Sequence, residues 1–383
     1  MLKRHIWHLV PVVMLGLTLI VGGPRLAEKF SEKAQSRSGA QQVTLVAAGD
    51  ILVHPPTWQQ AAADAAPGQQ YEFGRILAGV KPVVQAADLA LCHMEAPMGP
   101  GAPQDFPRFN APPQLARTVA GVGFDGCSTA SNHAMDQGET GVGANLAALD
   151  AAGLPHTGTA RTAAEAASLR IYDVKGVKIG HVSAAYGINR GTAVPAGKPW
   201  MVQLMDVPQI LAAAHRLRAA GAQIVVVSCH WGTERVHQVT SGQQRVAQQL
   251  TASPDVDLII GHHAHVVQPA YQVNGKWVFF GIGNLLARHD FPKPANKSGI
   301  LPRVTFGSDG GGRWRVVRVE AVPVWLSLAP QIRVVDLAAT ISAMSDVDRR
   351  RWKYARAWRE IVRWLDAVGA RRAGLRVAGQ DIV

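Results

Sequence analysis

The sequence predicts an α/β protein with buried sheets. Short apolar runs rich in β-branched residues alternate along the chain with stretches of helical length. Gly, Pro or polar clusters punctuate the boundaries between them. A chain of 383 residues that is 48% hydrophobic can bury a substantial core. Strands and helices in regular alternation argue for layered α/β architecture over a helical bundle or an all-β sandwich.

The elements read in order as follows. Val43 to Ala48 is a buried strand ending at Gly49 and Asp50. Trp58 to Ala66 and Gly74 to Ala87 read as helices. Asp88 to Cys92 is a second strand, delivering His93 and Glu95, and Gly123 to Thr129 a third, delivering Asn132 and His133. Residues 139–152 form a helix closed by Gly153, Leu154 and Pro155, a stop signal. Val177 to Val182 is a strand, Asp206 to Ala220 a helix, and Gln223 to Cys229 a strand delivering His230. After a helix over Gly242 to Ala252, Asp257 to Ile260 is a strand delivering His262, His263 and His265. Trp277 to Phe280 and Arg313 to Val324 read as β, and the last forty residues as helix.

The formal net charge of +12 is concentrated at the ends. Residues 1–42 carry six Lys/Arg against two Glu, and residues 344–383 carry ten Lys/Arg against five Asp/Glu. A nucleic-acid-binding domain would concentrate charge on its folded body, so no nucleic-acid partner is expected. Basic ends suit a membrane surface or an anionic envelope polymer. Lys3 and Arg4 precede an apolar run from Ile6 to Gly23, the pattern of a signal-anchor or a cleaved signal peptide. Without a convincing small-residue cleavage site, the anchor is preferred. Residues 24–42 read as a linker. Cys92, Cys127 and Cys229 are too widely spread for a disulfide framework or a zinc ribbon, and are expected as buried free thiols.

Residues of metal-ligand type recur at the ends of the apolar strands, where open α/β sheets bind their ligands. Asp50, Glu95, Asn132, His230, His263 and His265 all follow such runs, and His54 lies four residues after Asp50. Taken singly most have ordinary explanations: a helix N-cap for Asp50, a solvated Glu95, a turn at Asn132 and His133, a core histidine at His230. Three imidazoles within residues 262–265 are harder to explain that way. In extended backbone His263 and His265 point to the same side. Carboxylate, amide and imidazole donors together suit manganese, iron or zinc. Asp50 or Glu95 can bridge two such ions, as in two-metal hydrolases, with His133 as the candidate acid that protonates a leaving oxygen.

The segments Gly49-Asp50-Ile51-Leu52, Met94-Glu95-Ala96-Pro97, Ser131-Asn132-His133, His230-Trp231-Gly232-Thr233-Glu234, Gly261-His262-His263-Ala264-His265 through Gln268-Pro269, and Gly281-Ile282-Gly283-Asn284 resemble, in order, the motifs of the CapA (poly-γ-glutamate capsule biosynthesis) family. The resemblance covers residues 43 to about 290. It implies a branch of the calcineurin-like metallophosphoesterases, a two-sheet sandwich flanked by helices. It also implies that Asp50, Glu95, Asn132, His230, His263 and His265 are ligands of divalent metal ions, two in number. His133 then occupies the acid or phosphate-contact position, with Asp50 the second catalytic residue. His93 stands where the family usually has Asn, as an extra ligand or in place of a hydrogen-bond donor. His54 is a candidate for the histidine that many metallophosphoesterases place near their first aspartate.

The expected organisation is therefore a membrane segment over 1–23, a linker over 24–42, a CapA-type domain over 43–325 and a basic helical extension over 326–383. The expected activity is a metal-dependent phosphoesterase acting on an envelope substrate in capsule polymer synthesis. The alternative is a non-catalytic polymer-binding or export component on the same fold. The family resemblance implies a single-pass protein of the cell membrane with its body outside the cytoplasm, or a secreted one if the signal is cleaved. Arg25, Lys29, Lys33 and Arg37, after the apolar run, oppose that orientation. In the tail, Trp352, Ala355, Trp358 and Ile361 fall near helical spacing, which suits either a helix packed on the body or one lying on anionic lipid.

Overall fold

The computed structural model describes residues 41–289, 293–351 and 353–382. The expected membrane segment, nearly all of the linker, and Trp352 lie outside the described residues. No helix among the described residues is long and apolar enough to cross a membrane.

The first half of the chain runs β1 (Gln42–Leu52), α1 (Pro55–Asp64), α2 (Gly74–Leu77), α3 (Lys81–Gln85), β2 (Leu89–Met94), α4 (Gln114–Val122), β3 (Gly126–Ser128), α5 (Gly138–Ala151) and β4 (His156–Thr157). The middle continues α6 (Ala163–Ala167), β5 (Ile171–Val174), β6 (Val177–Ala185), α7 (Val207–Ala219), β7 (Ile224–His230), α8 (Ser241–Ala252) and β8 (Leu258–His262). It ends in β9 (Ala270–Val273), β10 (Lys276–Phe279), β11 (Asn284–Ala287), β12 (Ser298–Ser308), β13 (Trp314–Ser327) and β14 (Arg333–Asp336). The C-terminal stretch holds α9 (Leu337–Ser342), α10 (Asp346–Arg351), α11 (Lys353–Leu365) and β15 (Leu375–Val377).

Two sheets result. The larger has the order β14-β13-β12-β1-β2-β3-β4, with β11 pairing β1 and β15 pairing β13; the smaller has the order β5-β6-β7-β8-β10-β9. β1 is central, with its residues alternating between two cores. Val46 and Ala48 face the helices α1 to α5, whereas Leu45 and Ala47 face Val226, Leu258 and Ile260 of the second sheet. A strand buried on both faces reads as a continuous apolar run, as β1 does. The outer face of the second sheet packs on α7 and α8 through Ile210, Leu217, Ala247 and Leu250. Local chemistry agrees with these boundaries. Asp206 caps α7 by accepting a hydrogen bond from the Gln209 amide (3.1 Å), and Thr240 caps α8 through a reciprocal box with Gln243.

The expected helix from Gly74 to Ala87 is broken into α2, a 3-10 turn and α3, with Pro82 at the start of α3. The expectation of three free thiols is corrected at two positions. Cys92 and Cys127 lie opposite one another on the neighbouring parallel strands β2 and β3, with Cα atoms 4.5 Å apart, and form a disulfide. Sequence spacing could not show this, because the register of two parallel strands is set by what packs between them. Cys229 is free and buried.

The division at 326 is also corrected. β14 and β15 are strands of the larger sheet, and α11 buries Tyr354, Ala355, Trp358, Ile361, Val362 and Leu365 in the core it shares with β12 and β13. The indole nitrogen of Trp358 donates to the Ala378 carbonyl (2.7 Å). Residues 41–383 form one compact unit. The strongly amphipathic pattern of α11 therefore serves the core, and its apolar face is already covered by protein.

Candidate metal centre

Strand register brings the site together. Asp50 on β1 lies beside His93 on β2, which lies beside Ser128 on β3; in the second sheet His230 on β7 lies beside His262 on β8. Two glycines permit the close approach this requires. A Cβ on Gly49 would stand 2.2 Å from the Gly283 carbonyl oxygen, and one on Gly261 would stand 2.0 Å from that of Phe280. The chain can thus pass these points only without a side chain.

His263 and His265 are not in extended backbone, which corrects the expectation that strand alternation aligns them. Both adopt left-handed φ, 81° and 55°, in a bend after β8. Their rings come within 6.1 Å of each other. Non-glycine residues in that region typically cost about 1–3 kcal/mol each and persist where the surroundings hold them. Here the His263 amide donates to Asp50 Oδ2 (3.1 Å), and the Arg235 amide donates to the Ala264 carbonyl (2.7 Å).

The side chains converge on a buried cluster. Asp50 Oδ1 lies 3.3 Å from His262 Nδ1, and Asp50 Oδ2 lies 3.2 Å from His265 Nδ1. Glu95 Oε1 lies 3.5 Å from His265 Nε2 and 3.7 Å from His230 Nε2. Among the described residues, the ligating atoms fall into overlapping groups within 4.8 Å: Asp50, His93 and His230; Glu95, His230 and His263; Glu234, His263 and His265; and Asp50, Glu95 and His265. Asn132 joins through its Oδ1, 2.6 Å from His230 Nε2.

These donors fit divalent cations. Asp50 Oδ1, both oxygens of Glu95, His262 Nδ1 and His263 Nδ1 are buried without a hydrogen-bond partner. Leaving such atoms unpaired is costly, more so for charged groups, unless something else satisfies them. Carboxylate and imidazole are also the ligand types of manganese, iron and zinc. Asp50 and Glu95 each belong to two of the groups, as a bridging carboxylate must.

Burial and the mutual charges of these groups set their protonation. Burial alone would raise the Asp50 carboxyl, but hydrogen bonds and charge from His262 and His265 outweigh it and hold it well below the usual range. Burial pushes Glu95 well above its usual range. Burial would also lower His265, yet the charge of Glu95 and the contacts with Asp50 raise it to about 10. Burial lowers His263 to about 4 and drives His93 and His230 well below the usual value, so these rings are neutral and able to ligate near pH 7.

Two expected residues sit beside the cluster. His133 donates from Nδ1 to Asp136 Oδ2 (2.6 Å) and lines a cavity of about 230 Å³ with His54, Phe109, Glu234, Arg235 and His265. His54 caps α1, with its Nδ1 2.8 Å from the Leu52 carbonyl and its ring against His289 and Phe109. It appears in none of the close ligating groups, and burial lowers it to about 3. His54 thus lines the cavity wall beside the cluster.

Four residues not proposed from the sequence as site residues are seen here. Glu234 was visible in the His-Trp-Gly-Thr-Glu segment. Asp136, three residues after His133, could have been read as its partner. Asn189, which accepts a hydrogen bond from Asn132 Nδ2 at 2.9 Å, and His289, which contacts His54 and His265, had no local signal. His93 links the two sheets, 2.9 Å from His230 Nδ1 and 2.8 Å from Ser128 Oγ.

Relatives share this part of the chain. The PGA biosynthesis protein CapA of Bacillus subtilis is 26% identical over 208 residues, 54% of this chain and 53% of that protein. The capsule biosynthesis protein CapA of Bacillus anthracis is 24% identical over 182 residues, 46% of this chain and 44% of that one. The chain thus spans about half the length of the curated relatives it matches. Among solved structures, the calcineurin-like phosphoesterase YfkN from Bacillus subtilis aligns with a TM-score of 0.48 and 13% identity, over 84% of this chain and 97% of that one. The family described as bacterial capsule synthesis protein PGA_cap matches residues 44–289, from β1 to just past β11, a stretch that contains every strand end feeding the cluster, and the chain belongs to that family.

Proposed function

We propose that this protein is a metal-dependent, phosphoesterase-like enzyme of the cell envelope, acting in the synthesis of an anionic capsule polymer of the poly-γ-glutamate type. The observation that carries this is the buried cluster of two carboxylates and several imidazoles whose inward atoms lack partners. The relatives named for capsule and PGA biosynthesis supply the pathway. Asp50, Glu95, Asn132, His230, His263 and His265 would hold two divalent ions, which would supply Lewis acidity toward a phosphoryl group and toward water.

The chain's own residues provide the rest. Asp136 anchors the His133 ring through Nδ1, leaving Nε2 to deliver a proton to a leaving oxygen. Arg235, held in left-handed backbone with its side chain largely exposed at the cavity mouth, offers a guanidinium to an anionic substrate. The Cys92–Cys127 disulfide supports a body outside the cytoplasm, since such bonds persist in oxidising compartments. Residues 1–23 would anchor it to the membrane.

The test is metal analysis of the purified protein together with assays on phosphomonoester and phosphodiester substrates in the presence of manganese, iron or zinc. Bound metal with metal-dependent turnover is expected. Bound metal without turnover, accompanied by retention of γ-linked polyglutamate, would transfer the assignment to a polymer-binding or export role. A protein that binds no divalent metal would overturn both readings of the site.

A further inference from the structure

A second polar cavity lies away from the metal centre, where β6 meets the loop after β4 and the helix α7. Its volume is about 70 Å³, and His181, Ser183, Trp200, Arg170, Arg216 and Glu165 are among the residues that line it. Three buried atoms here have no partner: His181 Nδ1, Ser183 Oγ and Trp200 Nε1. His181 and Ser183 are only 2% and 1% exposed, so bulk water does not satisfy them. The loop passes so close that a Cβ on Gly158 would stand 2.7 Å from Ser183 Oγ. The absence of a side chain at 158 therefore keeps that hydroxyl clear.

The cavity is rich in donors and poor in acceptors. An indole N–H donates only, and a guanidinium has no acceptor. Arg170 uses Nε on the His156 carbonyl (3.0 Å), which leaves its terminal nitrogens for another partner, and Arg216 has no ion pair among the described residues. Several of the acceptors present are engaged: Glu165 pairs with Arg161, the Gly158 carbonyl accepts from the Gln203 amide at 2.8 Å, and Thr159 Oγ1 is bonded to Thr129 Oγ1 at 2.7 Å. Ser183 Oγ can both donate and accept and His181 Nδ1 can do either by tautomer, whereas Trp200 Nε1 and the two guanidiniums only donate, so donors outnumber acceptors in the cavity. A small oxyanion accepts on every side and donates nowhere, and two nearby guanidiniums match its charge.

We propose that this cavity is a binding site for a small oxyanion group, phosphate or carboxylate, separate from the metal centre. His181 Nε2 lies 2.9 Å from Ser228 Oγ, two residues before His230 on β7, so the site is joined to the metal centre by one short strand segment.

The full-length, metal-loaded protein should be titrated calorimetrically with inorganic phosphate and separately with glutamate. The same titrations should be run on the S183A/W200F variant, which keeps shape and removes two donors. Crystals soaked in selenate locate the anion independently. The expected result is an anomalous selenium peak within hydrogen-bond reach of Ser183 Oγ and Trp200 Nε1. Affinity for one of the two titrants should be weakened at least tenfold in the variant, while metal content is unchanged. The tighter titrant identifies phosphate or carboxylate as the natural group. If the double variant does not fold, S183A alone serves, with a smaller loss of the same sign. Ordered water alone in the soaked cavity, binding at crystal concentration only, or equal affinity in the wild type and the variant overturns the proposal. Metal content and hydrolysis are read separately, so that failure here leaves the metal-centre assignment standing.

Discussion

His263 and His265 contribute to the cluster because two residues hold unfavourable left-handed backbone, and Asp50 helps fix them there. Replacing both with Ala removes two neighbouring imidazoles and is expected to strip most of the bound metal, read by elemental analysis. The circular dichroism spectrum should stay close to wild type, because the β8 core residues Leu258 and Ile260 are untouched. Full metal occupancy in that variant would show the ligand assignment to be wrong. His133 makes a different prediction. It lies outside the close ligating groups among the described residues, so H133A should retain metal while turnover falls about 10²–10⁴-fold, the usual contribution of a positioned general acid. A loss of metal equal to the loss of rate would make His133 a ligand and not a proton donor.

At the scale of elements, α11 decides how the C-terminus is understood. Its apolar face buries Tyr354, Trp358, Ile361, Val362 and Leu365 against β12 and β13. Each fully buried side chain of this kind contributes about 1.5–3 kcal/mol, so the helix face is worth on the order of 10 kcal/mol. Net stabilities of domains are about 5–15 kcal/mol. Deleting residues 345–383 should therefore yield aggregated or unfolded protein, and W358A alone should cost about 3–5 kcal/mol in chemical denaturation. A truncated protein with wild-type stability would contradict the packing. The β2–β3 pair makes a further prediction. Alkylation of the denatured, unreduced protein should label Cys229 alone, and three labels would show that the bridge does not form in the native protein.

Taken as a whole, the molecule buries many histidines in neutral form. Burial lowers His54 to about 3, His181 to about 3 and His289 to about 2. In the unfolded chain these rings titrate near 6.5, so below that pH the unfolded state binds more protons than the native state. Stability of the metal-free protein therefore falls as the pH drops from about 7 to 5, by roughly 2 kcal/mol for each such ring at most. His265 behaves oppositely: its raised value of about 10 gives stability that is complete below about 6.5 and is lost as the pH rises toward 10. A thermal midpoint of the metal-free protein that is flat or rising between pH 7 and 5 would refute this account.

The sequence by itself determined the alternation of strands and helices and the placement of Asp50, Glu95, Asn132, His230 and the 262–265 histidines just beyond apolar strands. Those features depend on local periodicity and on residue type, which are written along the chain. It did not determine that Cys92 meets Cys127, that α11 and β15 complete the body, or that His263 and His265 turn inward through bends. Each of these depends on strand register and on the packing of one sheet against another. Asp50 and His263 lie 213 residues apart in sequence, yet the amide of one meets the carboxylate of the other. Such pairings are selected by the burial of side chains from distant segments, so only the tertiary structure decided them.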